Sequence, residues 1–483
     1  MLSLHGATAA AREAVPVLPV RDFLAAATEA LSSGARLGTL FGRDGTSGET
    51  ALCAVFHDDA LGRSRVVETR VRDRFPSLSP SFPQAQAFER AIFEERGVVP
   101  EGHPRLVGLR EKPDRHPFFE VEGDGVHEVA VGPVHAGVIE PGHFRFQCHG
   151  ETVLHLEIRL GWQHRGVARL LAGGPDARTL ALIETLAGDT TAGHATAYCE
   201  LFEALAGEGA PPRAQALRGV ALELERLAAH AGCLGALAGD VGFLPSASLL
   251  GRLRAEFLNA TAELCGSRFG RGLLVPGGVR FDLAETAARA LADRVESAFA
   301  RVEEAAELFF ETPSVRGRTD GVGVLDADLA DALGLVGPAA RACGLVRDVR
   351  HDHPGGIYRF AYLPIARAEG GDVFSRAWIR LREIERSAAF VAEQLRALPA
   401  GAVRAPIGPP RPNRIALSLV EGFRGEIGHV ALTGPDGRFE RYDVTDPSIH
   451  NWPGLAMAMR GESISDFPLC NKSFDLSYAG HDL

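Results

Sequence analysis

The sequence predicts an α+β protein, in which a small N-terminal α+β domain is followed by a larger, mainly helical domain with an N-terminal β-hairpin and a C-terminal β segment. Three observations support this prediction. A chain of 483 residues is too long for one compact core. Strand-like runs and Pro-bounded helical segments occupy the first part of the chain. Apolar residues at helical spacing dominate most of the remainder.

The small domain is built from short elements. Val20–Ser32 has the pattern of a helix, and Thr50–Phe56 and Arg65–Val71 have the pattern of strands. The polar, proline-interrupted stretch that follows the domain is typical of a linker. The predicted boundaries are 1–110 for the small domain, 111–124 for the linker and 125–483 for the large domain.

The large domain begins with alternating residues typical of a β-hairpin and then becomes helical. Three long amphipathic helices are indicated by apolar residues at i, i+3 and i+4 spacing, which form core in most proteins. The segment Arg414 to Val444 is predicted to be β, and an irregular tail is expected after it. The helical positions are Leu217, Val220, Ala221, Leu224, Leu227 and Ala228; Leu283, Ala287, Leu291, Val295, Phe299 and Val302; and Trp378, Leu381, Ile384 and Ala388.

Composition indicates a soluble globular protein, with 46% hydrophobic and 23% charged residues. A net charge of -11 argues against nucleic acid as a partner. The sequence contains no apolar run of the roughly 18 residues needed for a transmembrane span, and its start lacks a signal-peptide core. Seven scattered cysteines suit a reducing cytoplasm better than a disulfide scaffold.

Residues 75–106, FPSLSPSFPQAQAFERAIFEERGVVPEGHPRL, carry a recognisable motif. Phe75-Pro76-Ser77, Glu89-Arg90, Gly97 and Gly102-His103-Pro104 resemble the hallmark of the 30-kDa-type small subunit of respiratory complex I. A generic α+β module with a Pro-bounded helix is the alternative.

Residues 131–166 read VGPVHAGVIEPGHFRFQCHGETVLHLEIRLGWQHRG. GPxH, a second His eight residues later and LGxxHRG resemble the opening of the large subunit shared by [NiFe]-hydrogenases and complex I, where it is of the 49-kDa type. The segments Glu421–His429 (EGFRGEIGH) and Asp446–Leu455 (DPSIHNWPGL) continue the resemblance. Fusion of small and large subunits in one chain is found in hydrogenase-4 and formate-hydrogenlyase-like enzymes and in some complex I enzymes.

A nickel–iron centre needs four thiolates, supplied as two CxxC pairs, and no CxxC occurs in this sequence. At the positions that match the first pair stand Ala187 and Thr190, and the region of the second pair holds Cys470 and Ser473. The sequence therefore predicts that the chain binds no metal or other cofactor itself and is not an active [NiFe]-hydrogenase.

Complex I lacks the same cysteines and binds a quinone headgroup in the vacated cavity. Quinone reduction needs a hydrogen-bond donor at each carbonyl oxygen. The resemblance implies His143 as the catalytic donor and Asp240 as the residue that orients it, with His135 flanking the pocket. A structural histidine in a tight PGH turn is the alternative role for His143.

The family also has a tyrosine donor, but at the matching position this chain has Gly188, with no tyrosine nearby. Asp189 and Thr190 are the predicted pocket residues there. Hydrogenases start a proton path at a Glu in HxGxE, and Ala168 stands in its place.

A third group lies on the predicted helix around residue 220. By resemblance, Arg218, Arg226 and His230 face the terminal [4Fe-4S] cluster of an adjacent subunit, where positive charge raises the cluster potential. Alternatively, Glu223 and Arg226 form an ordinary helix ion pair and Arg218 is solvated.

The resemblance implies a peripheral subunit on the cytoplasmic face of the inner membrane, within an NADH:quinone oxidoreductase-like complex. Its chemistry would be electron transfer to a quinone-like acceptor, although the sequence shows no NAD site. Expected partners are an iron–sulfur protein of the hydrogenase small-subunit type, a ferredoxin-like subunit and integral membrane antiporter-like subunits. The alternative is a non-catalytic coupling subunit of an ion-translocating membrane complex.

Overall fold

A computed structural model of the chain describes residues 1–45, 48–110, 116–136 and 139–483. The start of the predicted linker, 111–115, and Gly137 and Val138 of the hairpin motif lie outside the described residues. The chain contains both helices and sheets, which confirms the predicted α+β class. Within the described ranges, no helix is both long enough and apolar enough to cross a membrane.

The small domain is a mainly antiparallel sheet covered by two helices. The sheet has the strand order β1-β6-β5-β4, and β3 adds to β6 in parallel. The helices are α1 (Val20–Ser32) and α2 (Gln86–Arg96). The strands are β1 (Leu2–Leu4), β2 (Thr8–Ala11), β3 (Val17–Leu18), β4 (Arg36–Asp44), β5 (Thr50–Asp58), β6 (Arg63–Val71), β7 (Arg74–Pro76) and β8 (Val99–Glu101).

Local sequence explains most of this domain. The helix α1 has the predicted bounds, and it buries Phe23, Ala27 and Ala30 at the spacing of one helical face. The two predicted strands are confirmed as β5 and β6. The buried strand β4 was not predicted, because Gly38 and Gly42 interrupt its apolar run and glycine is uncommon in strands.

The large domain contains the remaining strands and helices. Its strands are β9 (Val126–Val131), β10 (His143–His149), β11 (Thr152–Arg159), β12 (Leu274–Val275), β13 (Gly278–Val279), β14 (Arg414–Gly422), β15 (Gly425–Thr433) and β16 (Phe439–Thr445). Its helices are α3 (Val167–Leu171), α4 (Thr179–Ile183), α5 (Thr191–Ala206), α6 (Pro212–Asp240), α7 (Leu244–Cys265), α8 (Glu285–Glu311), α9 (Pro313–Thr319), α10 (Ala327–Ala332), α11 (Gly337–Ala342), α12 (Val349–Asp352), α13 (Val373–Arg396), α14 (Pro447–Ala458), α15 (Phe467–Phe474) and α16 (Tyr478–His481).

A helical bundle forms the centre of the large domain. The helix α6 packs against α7 and α13. The helix α8 also packs against α7 and α13. The predicted apolar stripes are core, with Leu224 on α6, Leu291 on α8 and Ile384 on α13 all fully buried. The predicted hairpin is β10 and β11, to which β9 adds as a third antiparallel strand.

The first residues of the chain pair with a strand far away in sequence. β2 runs antiparallel to β14, with Ala11 opposite Arg414 and Thr8 opposite Leu417. The resulting sheet has the order β16-β15-β14-β2. Residues assigned by sequence to the small domain thus complete the C-terminal sheet of the large one.

The prediction of an irregular tail is wrong. The residues after β16 form α14, α15 and α16, and most of their side chains are buried. Asp446 begins α14 by accepting a hydrogen bond from the backbone N–H of Ser448. These helices are too short, and too completely buried, to show an amphipathic period, which explains why the pattern did not reveal them.

Buried charges tie the small domain to the large one. Arg36 of β4 donates from Nε to Asp59 Oδ2 at 2.7 Å and from Nη2 to Glu426 Oε2 of β15 at 2.7 Å. Asp59 also contacts His353 Nε2 at 3.0 Å. Burial alone would raise the pKa of Glu426, but Arg36 and His57 lower it to about 2.

We expect this contact to make the protein sensitive to acid. Because the folded-state pKa of Glu426 is depressed, its contribution to the free energy of unfolding is present above pH 4.5, the usual glutamate value, and is lost as pH falls toward about 2. Glu426→Gln should be less stable than wild type at neutral pH and should lose less stability on acidification. Denaturant midpoints measured across this pH range check the prediction.

Glu440→Gln, at an exposed pair with Arg12, is the control, and its midpoints should follow those of wild type at every pH. Midpoints of Glu426→Gln that fall in parallel with those of wild type would contradict the prediction.

Candidate functional site

A cavity of about 580 Å³, the main cavity, lies between the turn before β10, the end of α6 and the helix α15. Most of its wall area is apolar, and six polar side chains reach it, a combination found in small-molecule sites. The apolar residues are Val131, Ile139, Phe146, Ala236, Ile464, Phe467, Pro468 and Leu476. The polar residues are His135, Asp240, Asn471, Lys472, Asp475 and Tyr478.

Tyr478, in the C-terminal tail, is the most distinctive polar group of the main cavity. Its ring packs edge-on against Trp452 at 5.0 Å and Phe144 at 6.3 Å. Its hydroxyl is buried beside Asn471 but makes no hydrogen bond of good geometry. Burial raises the pKa of Tyr478, so the phenol keeps its proton at neutral pH. A buried donor left unbonded costs about 1–3 kcal/mol, a cost that a ligand acceptor would remove.

The two histidines of the hairpin region have different positions. His135 lines the main cavity, and its Nε2 lies 2.8 Å from the carbonyl of Gly142. His143 starts β10, where its Nδ1 lies 3.2 Å from the carbonyl of Gly132 and its Nε2 is buried without a partner. Burial lowers the pKa of His143. A neutral ring that donates from Nδ1 to Gly132 presents Nε2 as an acceptor.

The predicted pair of His143 and Asp240 is not formed. Asp240 is exposed at the end of α6 and lines the main cavity. Neither ring nitrogen of His143 contacts a carboxylate in the part of the chain that the structure describes. The catalytic roles of both residues stay predictions, and the geometry does not supply the expected orienting bond.

Asp189 and Thr190, the other predicted pocket residues, are held by an arginine that sequence reasoning did not single out. Arg424, after β14, donates from Nη1 and Nη2 to the two Asp189 oxygens at 2.7 and 2.8 Å. Nη1 also reaches Thr190 Oγ1 at 3.1 Å, and Nε donates to the carbonyl of Asp475. Lys472 Nζ contacts Asp475 Oδ1 at 2.7 Å. These five residues form the Arg424 cluster.

The charges of the Arg424 cluster hold its acids ionised. Burial would raise the pKa of Asp189, but the bidentate guanidinium of Arg424 lowers it. For Asp475, burial is likewise opposed by Lys472 and Arg424, which lower the pKa to about 2. The cluster is therefore two cations and two carboxylates at neutral pH.

The donor atoms do not fit a nickel–iron centre. Thr190 is bonded by Arg424, and Ser473 Oγ accepts a hydrogen bond from Arg376 Nε at 2.8 Å. Burial raises the pKa of Cys470 to about 12, so the one sulfur at these positions is a thiol and not a thiolate. Across the described ranges, no group of three or more His, Cys, Asp or Glu side chains is placed to hold a metal ion.

The three residues predicted to face a partner's cluster point into the large domain. Arg218 binds Glu203 at 2.5 Å and the carbonyls of Val275 and Gly278. Arg226 and His230 are fully buried. A role toward an iron–sulfur cluster stays a prediction for all three, but none is a solvated surface charge.

Arg226 and His230 belong to a buried ion network between α6, α11, α12, α13 and β14. Glu383 of α13 is its centre, with His230 Nε2 at 2.8 Å, Arg226 Nη1 at 3.2 Å and Arg341 Nη2 at 2.5 Å. Burial lowers the pKa of His230 to about 4 despite Glu383, so its ring is neutral. The Glu223–Arg226 helix pair is confirmed at 3.0 Å. The network members are Glu223, Arg226, His230, Arg341, Asp348, Arg350, Glu383 and Glu421.

Comparison with known proteins identifies the family. Residues 240–415 match the model of the respiratory-chain NADH dehydrogenase 49 Kd subunit, and residues 18–118 match that of the 30 Kd subunit. Formate hydrogenlyase subunit 5 of Escherichia coli (strain K12) is 30% identical over 85% of this chain and 77% of its own length. Hydrogenase-4 component G of the same strain is 30% identical over 84% of this chain and 76% of its own. NADH-quinone oxidoreductase subunit 4 of Thermus thermophilus is 30% identical over 71% of this chain and 91% of its own length.

The fold and these matches define a subunit of the complex I and hydrogenase-4 type of oxidoreductase. The chain belongs to the family of complex I 49-kDa subunits and hydrogenase large subunits, and it carries a domain of the 30-kDa subunit family in the same polypeptide. The resemblance predicted from residues 75–106 and 131–166 is thereby confirmed.

Sequence reasoning missed two residues of the site. Arg424 lies in the motif EGFRGEIGH, so the motif itself marked the segment, although not the side chain. Tyr478 carried no signal, because the tail was expected to be irregular and the family's tyrosine was expected at the position of Gly188.

Proposed function

We propose that this chain carries, in the main cavity, the binding site for a quinone-like acceptor, which takes electrons from an iron–sulfur cluster of a partner subunit without a nickel–iron centre in this chain. The observation that carries the proposal is the buried, unbonded hydroxyl of Tyr478 in a mostly apolar cavity. A quinone ring suits such walls, and its carbonyl oxygen suits such a donor.

Reduction places negative charge on the quinone oxygens, and this charge must be stabilised and then protonated. Tyr478 supplies a neutral O–H donor, while Lys472 supplies positive charge at the same wall of the main cavity. His135 adds an imidazole from the turn before β10, where its Nε2 lies 2.8 Å from the carbonyl of Gly142. In this proposal Tyr478 takes the part that the family resemblance implies for a tyrosine at the position of Gly188.

The complex that would contain this chain is inferred from its relatives. Their names describe formate hydrogenlyase, hydrogenase-4 and NADH-quinone oxidoreductase subunits. We infer an iron–sulfur partner of the hydrogenase small-subunit type, a ferredoxin-like subunit and antiporter-like membrane subunits, with this chain peripheral on the cytoplasmic face of the membrane. NADH as the ultimate electron donor stays a prediction.

A second candidate is a coupling subunit without redox chemistry. The observation that favours it is the Arg424 cluster, in which Asp189 and Thr190 are bonded within the protein instead of being available to a ligand. In that case the buried charges would link a partner to an ion-translocating membrane module.

Tyr478→Phe tests the first candidate. In the complex purified from membranes, we expect it to lower quinone reduction about 100-fold, the usual effect of removing one donor to a developing oxyanion, with unchanged assembly. Tyr362→Phe, an exposed tyrosine, is the matched control and should behave as wild type.

The same preparation distinguishes the alternatives. Quinone reduction that resists Tyr478→Phe but is lost in His143→Ala would assign the donor to His143. Activity indifferent to both substitutions would leave the coupling role. Stoichiometric nickel in the purified chain would overturn the proposed function.

A further inference from the structure

A second cavity of about 210 Å³, the inner cavity, lies behind the main cavity. It is bounded by α6, α7 and the end of α15, and both cavities are lined by Ala236, Lys472 and Asp475. Small residues along α6, including Ala228 and Gly232, leave the space open. The wall of this cavity is mostly apolar but carries Asp189, Glu225, Lys472 and Asp475, and the volume is large enough for several water molecules beside these polar groups.

Glu225 of α6 projects into the inner cavity. Its Oε2 accepts a hydrogen bond from the backbone N–H of Ala192 at 2.6 Å, and its Oε1 accepts one from Gly193 at 3.1 Å. Both N–H groups belong to the first turn of α5, which favours an ionised carboxylate. Burial acts in the opposite direction and is the larger effect, so that the pKa of Glu225 is raised to about 8. Both protonation states are therefore accessible near neutral pH.

The other titratable groups of the inner cavity are fixed in one state. Asp189 and Asp475 are held ionised by Arg424 and Lys472, as described above. Burial raises the pKa of the Cys233 thiol to about 11. Among the groups that line this cavity, Glu225 is the one suited to gain and lose a proton near neutral pH.

Two further cations face the same space. Arg254 of α7 has its Nε buried without a partner, and Arg268, just after α7, is exposed to solvent. Arg268 marks the solvent side of the inner cavity, and the Lys472–Asp475 pair marks the side of the main cavity. Of the charges that act on Glu225, Asp189 opposes its ionisation and raises its pKa, whereas Arg226 favours ionisation and lowers it.

We propose that Glu225 is a proton-transfer residue for the main cavity, taking protons from solvent through the inner cavity and passing them across the Lys472–Asp475 pair to the bound acceptor. This inference rests on the proposed function. It also gives the chain a carboxylate for proton delivery, although Ala168 stands where hydrogenases have theirs.

The reaction balances with the partners already named. A quinone takes two electrons, one at a time, from the partner's iron–sulfur cluster and two protons from solvent, and becomes a quinol. Each proton leaves the Glu225 carboxyl group, reaches a quinone oxygen near Tyr478, and is replaced from solvent. Glu225 is unchanged after each turnover.

Glu225→Gln keeps the size of the side chain and an oxygen acceptor for α5 but cannot exchange a proton. In the purified complex, we expect quinone reduction by the wild type to fall as pH rises through about 8, because the proton donor becomes ionised. The variant should be slower by about 100-fold at neutral pH and should lack this inflection, while its affinity for a quinone analogue stays unchanged. Glu225→Asp should recover part of the rate, which a merely structural role does not predict.

Glu256→Gln on α7, at a surface pair with Arg252, is the matched control and should keep the wild-type pH profile. A Glu225→Gln profile that retains the inflection and lies within about twofold of the wild-type rate would overturn the proposal. So would an inflection lost in Asp240→Asn and kept in Glu225→Gln, because the proton would then enter the main cavity directly.

An infrared measurement separates this proposal from the proposed function. At neutral pH the full chain should show a carboxylic-acid C=O band that is missing in Glu225→Gln and shifts rapidly after transfer to deuterated water. A missing band, or one that resists exchange, would overturn the role of Glu225 even in a protein that reduces quinone. Failure of the wild type to bind or reduce the quinone analogue would instead remove the proposed function, whatever the infrared result.

Discussion

Replacing Arg341 by methionine is expected to lower the free energy of unfolding by about 3–5 kcal/mol. The guanidinium of Arg341 is fully buried and contacts Glu383 at 2.5 Å, Glu421 at 2.8 Å and Asp348 at 3.5 Å. Methionine fills similar volume, but it leaves three buried carboxylates without one of their cations. Denaturant unfolding of the full chain at neutral pH measures the loss.

Arg396→Met provides the control for Arg341→Met. Arg396 ends α13 and pairs with Asp293 and Glu296 on the surface, so its replacement should leave the denaturation midpoint unchanged. Equal denaturation midpoints for Arg341→Met and wild type would contradict the prediction, because the buried ion network would then add nothing to the free energy of unfolding.

Arg424→Met is expected to cost about 1–3 kcal/mol, less than Arg341→Met, because Arg424 is buried but the side chain of Asp189 is 44% exposed to solvent. It removes the bidentate partner of Asp189, the hydrogen bond to Thr190 and the donor to the Asp475 carbonyl. Arg424→Lys keeps the charge but not the fork of donors and should recover only part of the loss. Urea unfolding of the three proteins, side by side, tests this order.

The pH dependence of Arg424→Met has a defined sign. Without the guanidinium, the desolvation of Asp189 is unopposed and its pKa rises. Protonation at lower pH then removes the cost of an ionised carboxylate that has lost its cation. The stability difference between wild type and variant should therefore shrink on acidification. The double variant Asp189→Asn with Arg424→Met should regain at least half of the loss at neutral pH. If the losses of unfolding free energy in Asp189→Asn and Arg424→Met simply added in the double variant, a direct interaction between the two side chains would be excluded.

Much of the fold followed from local patterns. The helix Val20–Ser32 was predicted with its observed bounds, and the stripes on α6, α8 and α13 were placed in the core. These elements have strong periods that arise from one face being buried. The strand β4 and the three C-terminal helices were not predicted, since glycines and short length remove the period on which such prediction depends.

The candidate site was only partly predictable. His135 and Asp240 were named from sequence and do line the main cavity, but His143 and Asp240 do not form the expected pair. For Arg226 and His230 the sequence predicted a role toward an iron–sulfur cluster, which stays a prediction, and their observed partner Glu383 lies 157 and 153 residues away, on α13. A sequence shows which side chains carry charge, whereas burial and partners depend on how distant segments pack.

Family membership, the α+β class and the absence of CxxC pairs could all be read from the sequence, because motifs and residue types are local properties. The prediction that the chain holds no nickel rests on Ala187 and Thr190 at positions where the family resemblance implies cysteines. Only the tertiary structure brought Tyr478 into the main cavity and placed Arg424 against Asp189, which is 235 residues away. Folding decides such contacts because the electrostatics and hydrogen bonding of a side chain are set by neighbours in space, and for these residues the neighbours come from opposite parts of the chain.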